Sequence, residues 1–101
     1  MNKKCTNNPL DAEKNKFVGT WKGTETNNAI GVSGETIVIF FSDGTYQMGA
    51  FSEAWDIKDR KLVCSFDSTY QMVFTYQFSS GDRTLSLDCI GVNTSMALTK
   101  Q

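Results

Sequence analysis

The sequence predicts an all-β chain, a single eight-stranded antiparallel up-and-down β-barrel with a short helical turn at its N-terminus. Three observations carry this. From Glu35 onward, β-branched and aromatic runs alternate with turn residues every ~8–12 positions, the spacing of a sandwich or barrel. Ahead of them, Phe17-Val18-Gly19-Thr20-Trp21-Lys22-Gly23-Thr24 puts Phe17, Gly19, Trp21 and Gly23 on one face at period two. Trp21 is thereby placed across a closed end, with glycines leaving room for its ring. Strands this apolar also favour closure, because a closed barrel has no edges to expose.

At 101 residues the chain is one domain, and 40% hydrophobic with 12% aromatic residues is enough for a single core. Residues 1–8 read as a polar tether and 9–101 as the barrel domain. Asn8-Pro9-Leu10-Asp11-Ala12-Glu13 carries an N-cap, a first-turn proline and early acids, so a helix runs to about Lys16. Leu10 and Phe17 are its candidates for plugging the barrel floor.

The strands follow in order. Asn27 to Gly34 reads as the widest loop, with Ile30 and Val32 tucked beneath it as a satellite cluster. Glu35 to Phe41 is apolar on both faces: Val38 and Phe40 against Ile37, Ile39 and Phe41. One set belongs to the core; the other is covered by the N-terminal segment or left as a partner surface. Asp43-Gly44 is a hairpin signal leading to Tyr46 and Met48. A turn at Ala50 to Glu53 precedes Trp55 and Ile57, and Lys58-Asp59-Arg60-Lys61 turns into Leu62, Cys64 and Phe66. After Asp67-Ser68, the run Tyr70, Met72, Phe74, Tyr76, Phe78 alternates cleanly with mostly polar residues. Ser79-Ser80-Gly81-Asp82, Thr84 to Ile90, and Ser95 to Lys100 with Met96 and Leu98 inward complete the set. Short strands with bulky inward aromatics leave little free volume.

Composition removes several functions. With no histidine, Ser-His-Asp and Cys-His chemistry is excluded. A net charge of −1 with no basic stripe leaves nothing for nucleic acid. Asp43, Asp59, Asp67 and Asp82 sit in separate turns without calcium-loop spacing, and the three cysteines lack metal spacing, so no metal or cofactor is expected. Cys64 and Cys89 read as buried free thiols in preference to a disulfide. No apolar run of ~18 residues occurs, and Met1-Asn2-Lys3-Lys4 lacks the apolar region of a signal peptide.

Gly19-Thr20-Trp21, on a first strand behind a short helix, resembles the G-x-W signature of lipocalins and related calycin barrels. Phe40-Phe41-Ser42-Asp43-Gly44-Thr45-Tyr46, Ala54-Trp55-Asp56-Ile57, Lys61-Leu62, Thr84-Leu85-Ser86-Leu87 and Leu98-Thr99-Lys100 resemble compact lipocalin-like domains of prokaryotic surface proteins and lipoproteins. The resemblance implies a barrel module of the cell envelope, on the outer side of the cytoplasmic membrane, anchored through a lipid on Cys5; a cytoplasmic location is the alternative. The arginine that lipocalins stack on the motif tryptophan has no clear counterpart; Arg83 is the stand-in.

Two functional expectations follow, neither enzymatic. One is a binding module holding a small apolar molecule near Trp21, Tyr46, Trp55, Tyr70, Phe74 and Tyr76, whose bland counterpart is plain core filling. The other is a protein-interaction domain, monomer or weak dimer, meeting another envelope protein through Ile37, Ile39 and Phe41. For catalysis the acids are Glu53, Asp56 and Asp88, of which only Glu53 is placed to face a barrel mouth.

Overall fold

The computed structural model describes residues 9–65 and 70–101. The tether over 1–8, Cys5, and the turn around Phe66, Asp67 and Ser68 lie outside the described residues, as does the side chain of Leu10. Helix α1 (Pro9–Phe17) is followed by β1 (Gly19–Asn27), β2 (Val32–Phe40), β3 (Thr45–Met48), β4 (Phe51–Lys58), β5 (Lys61–Ser65), β6 (Gln71–Ser79), β7 (Thr84–Cys89) and β8 (Thr94–Lys100). Each strand pairs antiparallel with the next, and β8 returns to β1 to close the barrel. The eight-stranded up-and-down architecture is as the sequence predicts, and it is compatible with a lipocalin-like fold.

The strands are unequal, so the wall is staggered. β1 pairs with β2 along its whole length, from Gly19↔Phe40 to Asn27↔Val32, whereas β3 covers β2 only at Val38, Ile39 and Phe40. Likewise β5 reaches β6 only as far as Phe74. The wall formed by β7, β8, β1 and β2 therefore stands taller than that of β3, β4 and β5. Turns 28–31, 49–50 and 90–93 lie at the open end; turns 41–44, 59–60 and 80–83 lie at the floor with α1.

The floor is an aromatic stack. Phe17, the last residue of α1, is fully buried, with Phe40, Trp55, Tyr76 and Phe78 at centroid distances of 4.9–5.7 Å. Edge-to-face and tilted rings of this kind add to the area that burial removes from water. The helix runs one residue past Lys16, and Phe17 caps the core from its end, not from β1. Gly19 then turns the chain into the strand at φ 135°. A Cβ there would stand 2.7 Å from Lys100 Cε, and one at Gly23 would meet the Ala97 carbonyl on β8. These two glycines let the strands and the motif tryptophan close up.

Several local expectations are corrected. The expected wide loop is a four-residue turn between two longer strands, because Asn27 and Val32 are already paired. Ile30 and Val32 are 69% and 58% exposed, so no satellite cluster forms: among the described residues nothing stands above the tall arm to cover them. β4 begins at Phe51, which shortens the Ala50–Glu53 turn to Gly49 and Ala50. Tyr70 precedes β6 and is 45% exposed, outside the inward row that Met72, Phe74, Tyr76 and Phe78 form. Ile37 and Phe41 are also exposed, so among the described residues the N-terminal segment leaves that β2 face open.

Candidate functional site

Of the six aromatics singled out in the sequence, Trp21, Tyr46, Trp55 and Phe74 share one buried cluster and Tyr76 packs against it, while Tyr70 lies at the open end. Core filling accounts for the arrangement. Among the described residues, a void of about 20 Å³ lies in the core, lined by Phe40, Tyr46, Met48, Leu62, Cys64, Met72, Phe74, Leu87 and Met96. That is about the room of one water molecule, in walls with no polar surface to hold it.

The polar handles of these aromatics are engaged by the protein itself. Trp21 Nε1 donates to the Phe17 carbonyl at 2.7 Å, and Trp55 Nε1 to the Phe41 carbonyl at 3.1 Å. The Tyr46 hydroxyl donates to the Ser65 carbonyl at 2.8 Å, and that of Tyr76 to Glu13 Oε2 at 2.6 Å. Each satisfies a group that burial would otherwise leave costly. Burial drives the Tyr46 phenol far above its usual range, with Cys64 and Glu53 adding to the effect. Tyr76 is pushed up to about 12, by burial first and then by its bond to Glu13.

Glu53 sits half-buried opposite Tyr46 in the β3–β4 pair, two residues before Trp55 on the same strand. Asp56 is turned outward and held by Lys14 at 2.7 Å, a bond that lowers its pKa. Asp88 is exposed on β7, opposite Thr75 and Ser95. The three acids thus do not converge, and no group of three metal-ligating side chains occurs among the described residues. Cys64 and Cys89 are free, on the two strands flanking β6, facing Met72 and Phe74 respectively. Burial pushes the Cys64 thiol up to about 12 and raises Cys89 as well, so neither is a ready nucleophile.

Sequence reasoning missed three features. The first is the cation on the motif tryptophan: Lys100, not Arg83, lies over Trp21, at 5.3 Å from the ring centroid. Arg83 stays exposed in the floor turn, where its carbonyl accepts the Lys100 amide at 2.8 Å. Only the β1–β8 register, which sets Trp21 opposite Lys100, reveals this. The second is a shallow groove of about 300 Å³ beside α1, lined by Lys14, Asn15, Val18, Ser42, Asp43, Gly44 and Trp55. Its two charged groups are already committed, Lys14 to Asp56 and Asp43 to Thr45.

The third is the open-end rim. Ile30, Val32, Tyr70, Ile90 and Val92 are each 44–69% exposed and all belong to segments at that end. Asn28 ties two of those turns together, its amide donating to the Asn93 carbonyl at 2.7 Å and its side chain to Ser95 Oγ at 3.2 Å. Ile30 and Val32 are thus held on the same side of the mouth as Ile90 and Val92.

No family model matches the chain, and no curated protein or solved structure matches it either.

Proposed function

We propose that this protein is a non-enzymatic, lipocalin-like β-barrel module of the cell envelope that binds a protein partner on its outer surface. The observation that carries this is the contrast between a filled lumen and an apolar rim. The void lined by the described core residues holds about 20 Å³, against the 300 Å³ or more of an ordinary small-molecule site. Apolar side chains stand instead at the open end, where isolated exposure would need no explanation but clustering marks a contact surface. Ile37 on the outer face of β2 and Phe41 just past its end are exposed too and extend the same character down the wall. Cys5, followed by Thr6-Asn7-Asn8, fits a lipid-bearing residue ahead of a polar tether.

The test is a fluorescence titration of Trp21 and Trp55 with fatty acids and apolar dyes. The expected result is no saturable lumen binding, together with weak dye binding that falls in an Ile30→Ser/Ile90→Ser variant. One-to-one quenching by a fatty acid, abolished by Met72→Trp, would instead establish a carrier with a lumen that opens.

A further inference from the structure

We propose that the upper part of β2, Val32–Thr36, pairs antiparallel with the same segment of a second copy of this chain, about a two-fold axis at Gly34. The inference goes beyond the outer-surface reading and stands whether or not the open-end rim docks a partner.

The segment is a strand with one neighbour. β1 holds Val32–Ile37 on one side, from Asn27↔Val32 to Lys22↔Ile37. On the other side β3 pairs only with Val38, Ile39 and Phe40, and no strand among the described residues bonds the rest. Alternate residues there aim N–H and C=O groups outward, which is a template for another strand. Natural edges are usually blunted by lysine, proline or a bulge. Val32-Ser33-Gly34-Glu35-Thr36-Ile37 has no lysine or proline, and its one charge, Glu35, already faces Lys22 at 3.7 Å.

Symmetry and charge select the occupant and the register. A two-fold axis normal to the sheet brings only residues of the same face opposite each other. Centring it on Gly34 pairs Gly34 with Gly34, Ser33 with Glu35 and Val32 with Thr36. Each carboxylate then faces a hydroxyl of the other copy. Centring on Glu35 would set like charges directly opposite, which is unfavourable. Centring on Thr36 would draw in Val38, which Met48 already occupies. At the axis itself a Cβ on Gly34 would meet nothing within 4 Å, so the position is open for close approach. So short a contact falls below the roughly 1,200 Å² of a stable interface, so the dimer is a concentration-dependent one.

The experiment is sedimentation equilibrium of the full chain, with variants. The mass should rise from 11.2 kDa towards twice that value as concentration increases. Ser33→Lys, facing Glu35 of the other copy twice, should tighten association and Ser33→Glu loosen it, by roughly two- to thirtyfold each way. In a Cys5→Ser background, Gly34→Cys should give a disulfide-linked dimer on mild oxidation. Val32→Cys, about 13 Å from its own copy in this register, should not. A chain that stays monomeric, a dimer indifferent to both Ser33 variants, or cross-linking at Val32 instead of Gly34 would each overturn the proposal.

Discussion

Lys100 fastens the last strand to the first through Trp21. Its ammonium stands 5.3 Å from the indole centroid and also donates to the Lys16 carbonyl at 3.3 Å, at the C-terminal end of α1. The indole N–H of the same tryptophan donates to the Phe17 carbonyl. Helix, first strand and last strand thus meet on one ring. Lys100→Met should cost about 1–2 kcal/mol, the sum expected of a cation–π contact and a charged hydrogen bond in partial exposure. Lys100→Arg should recover most of it, as measured by urea unfolding.

Gly19 and Gly23 make that meeting possible and should not tolerate a methyl. Gly23→Ala drives a Cβ into backbone and is expected to cost more than about 3 kcal/mol, or to prevent folding. Gly19→Ala displaces only the Lys100 side chain but strains φ, for about 1–3 kcal/mol. Gly34→Ala, in open space, is the control and should stay within about 1 kcal/mol of the parent. Thermal melts of the three variants rank them.

Stability should depend on pH at both extremes. Glu13 is lowered by the Tyr76 hydroxyl and Asp56 by Lys14, so their contributions are present above the unfolded values of 4.5 and 3.8 and are lost as pH falls through the depressed folded values. Tyr76 is raised to about 12, so its contribution is present below 10.0 and lost as pH rises towards 12. With no histidine, no side chain of ordinary pKa titrates between pH 5 and 8, and stability should be level there. Urea midpoints against pH should show this plateau. Glu13→Gln should shrink the acid arm, and Tyr76→Phe the alkaline one.

Core and rim should respond oppositely to truncation. Phe17→Ala and Phe74→Ala each remove a ring from a fully packed interior, at about 3–5 kcal/mol. That is a large share of the total for a domain of this size. Ile30→Ser and Val92→Ser remove exposed side chains and should stay within about 0.5 kcal/mol. Denaturant unfolding of the four variants separates the groups.

Thiol accessibility checks the interior independently. Cys64 should resist alkylation in the native protein and react only on unfolding, and Cys89 should be slowed but not silent. Mass spectrometry of the native and denatured protein, peptide by peptide, reads both.

Period-two alternation made the inward rows of β6 and β8 legible, since it is a local signal that tertiary contacts did not override. The Asp43-Gly44 hairpin was legible for a similar reason: the Asp43 carboxylate accepts from the Thr45 amide within the turn itself. The partners of the aromatics were not. Tyr76 and Glu13 are 63 positions apart, and Lys100 meets Trp21 only through strand register. Ile30 and Val32 stand exposed against expectation because the height difference between the two walls, which denies them cover among the described residues, has no local signature. The filled lumen was foreseeable from short strands and large rings; its engaged hydroxyls were not.

The plug at the floor also gives the molecule a direction. The chain enters the barrel through α1 at the floor, and its last residue, Gln101, is pinned there by its backbone N–H, which donates a hydrogen bond to the Thr20 carbonyl at 2.9 Å. Helix α1 and the last residue therefore lie at the same pole. Among the described residues, the opposite pole, with Ile30, Val32, Ile90 and Val92, lies a strand's length away from both α1 and Gln101.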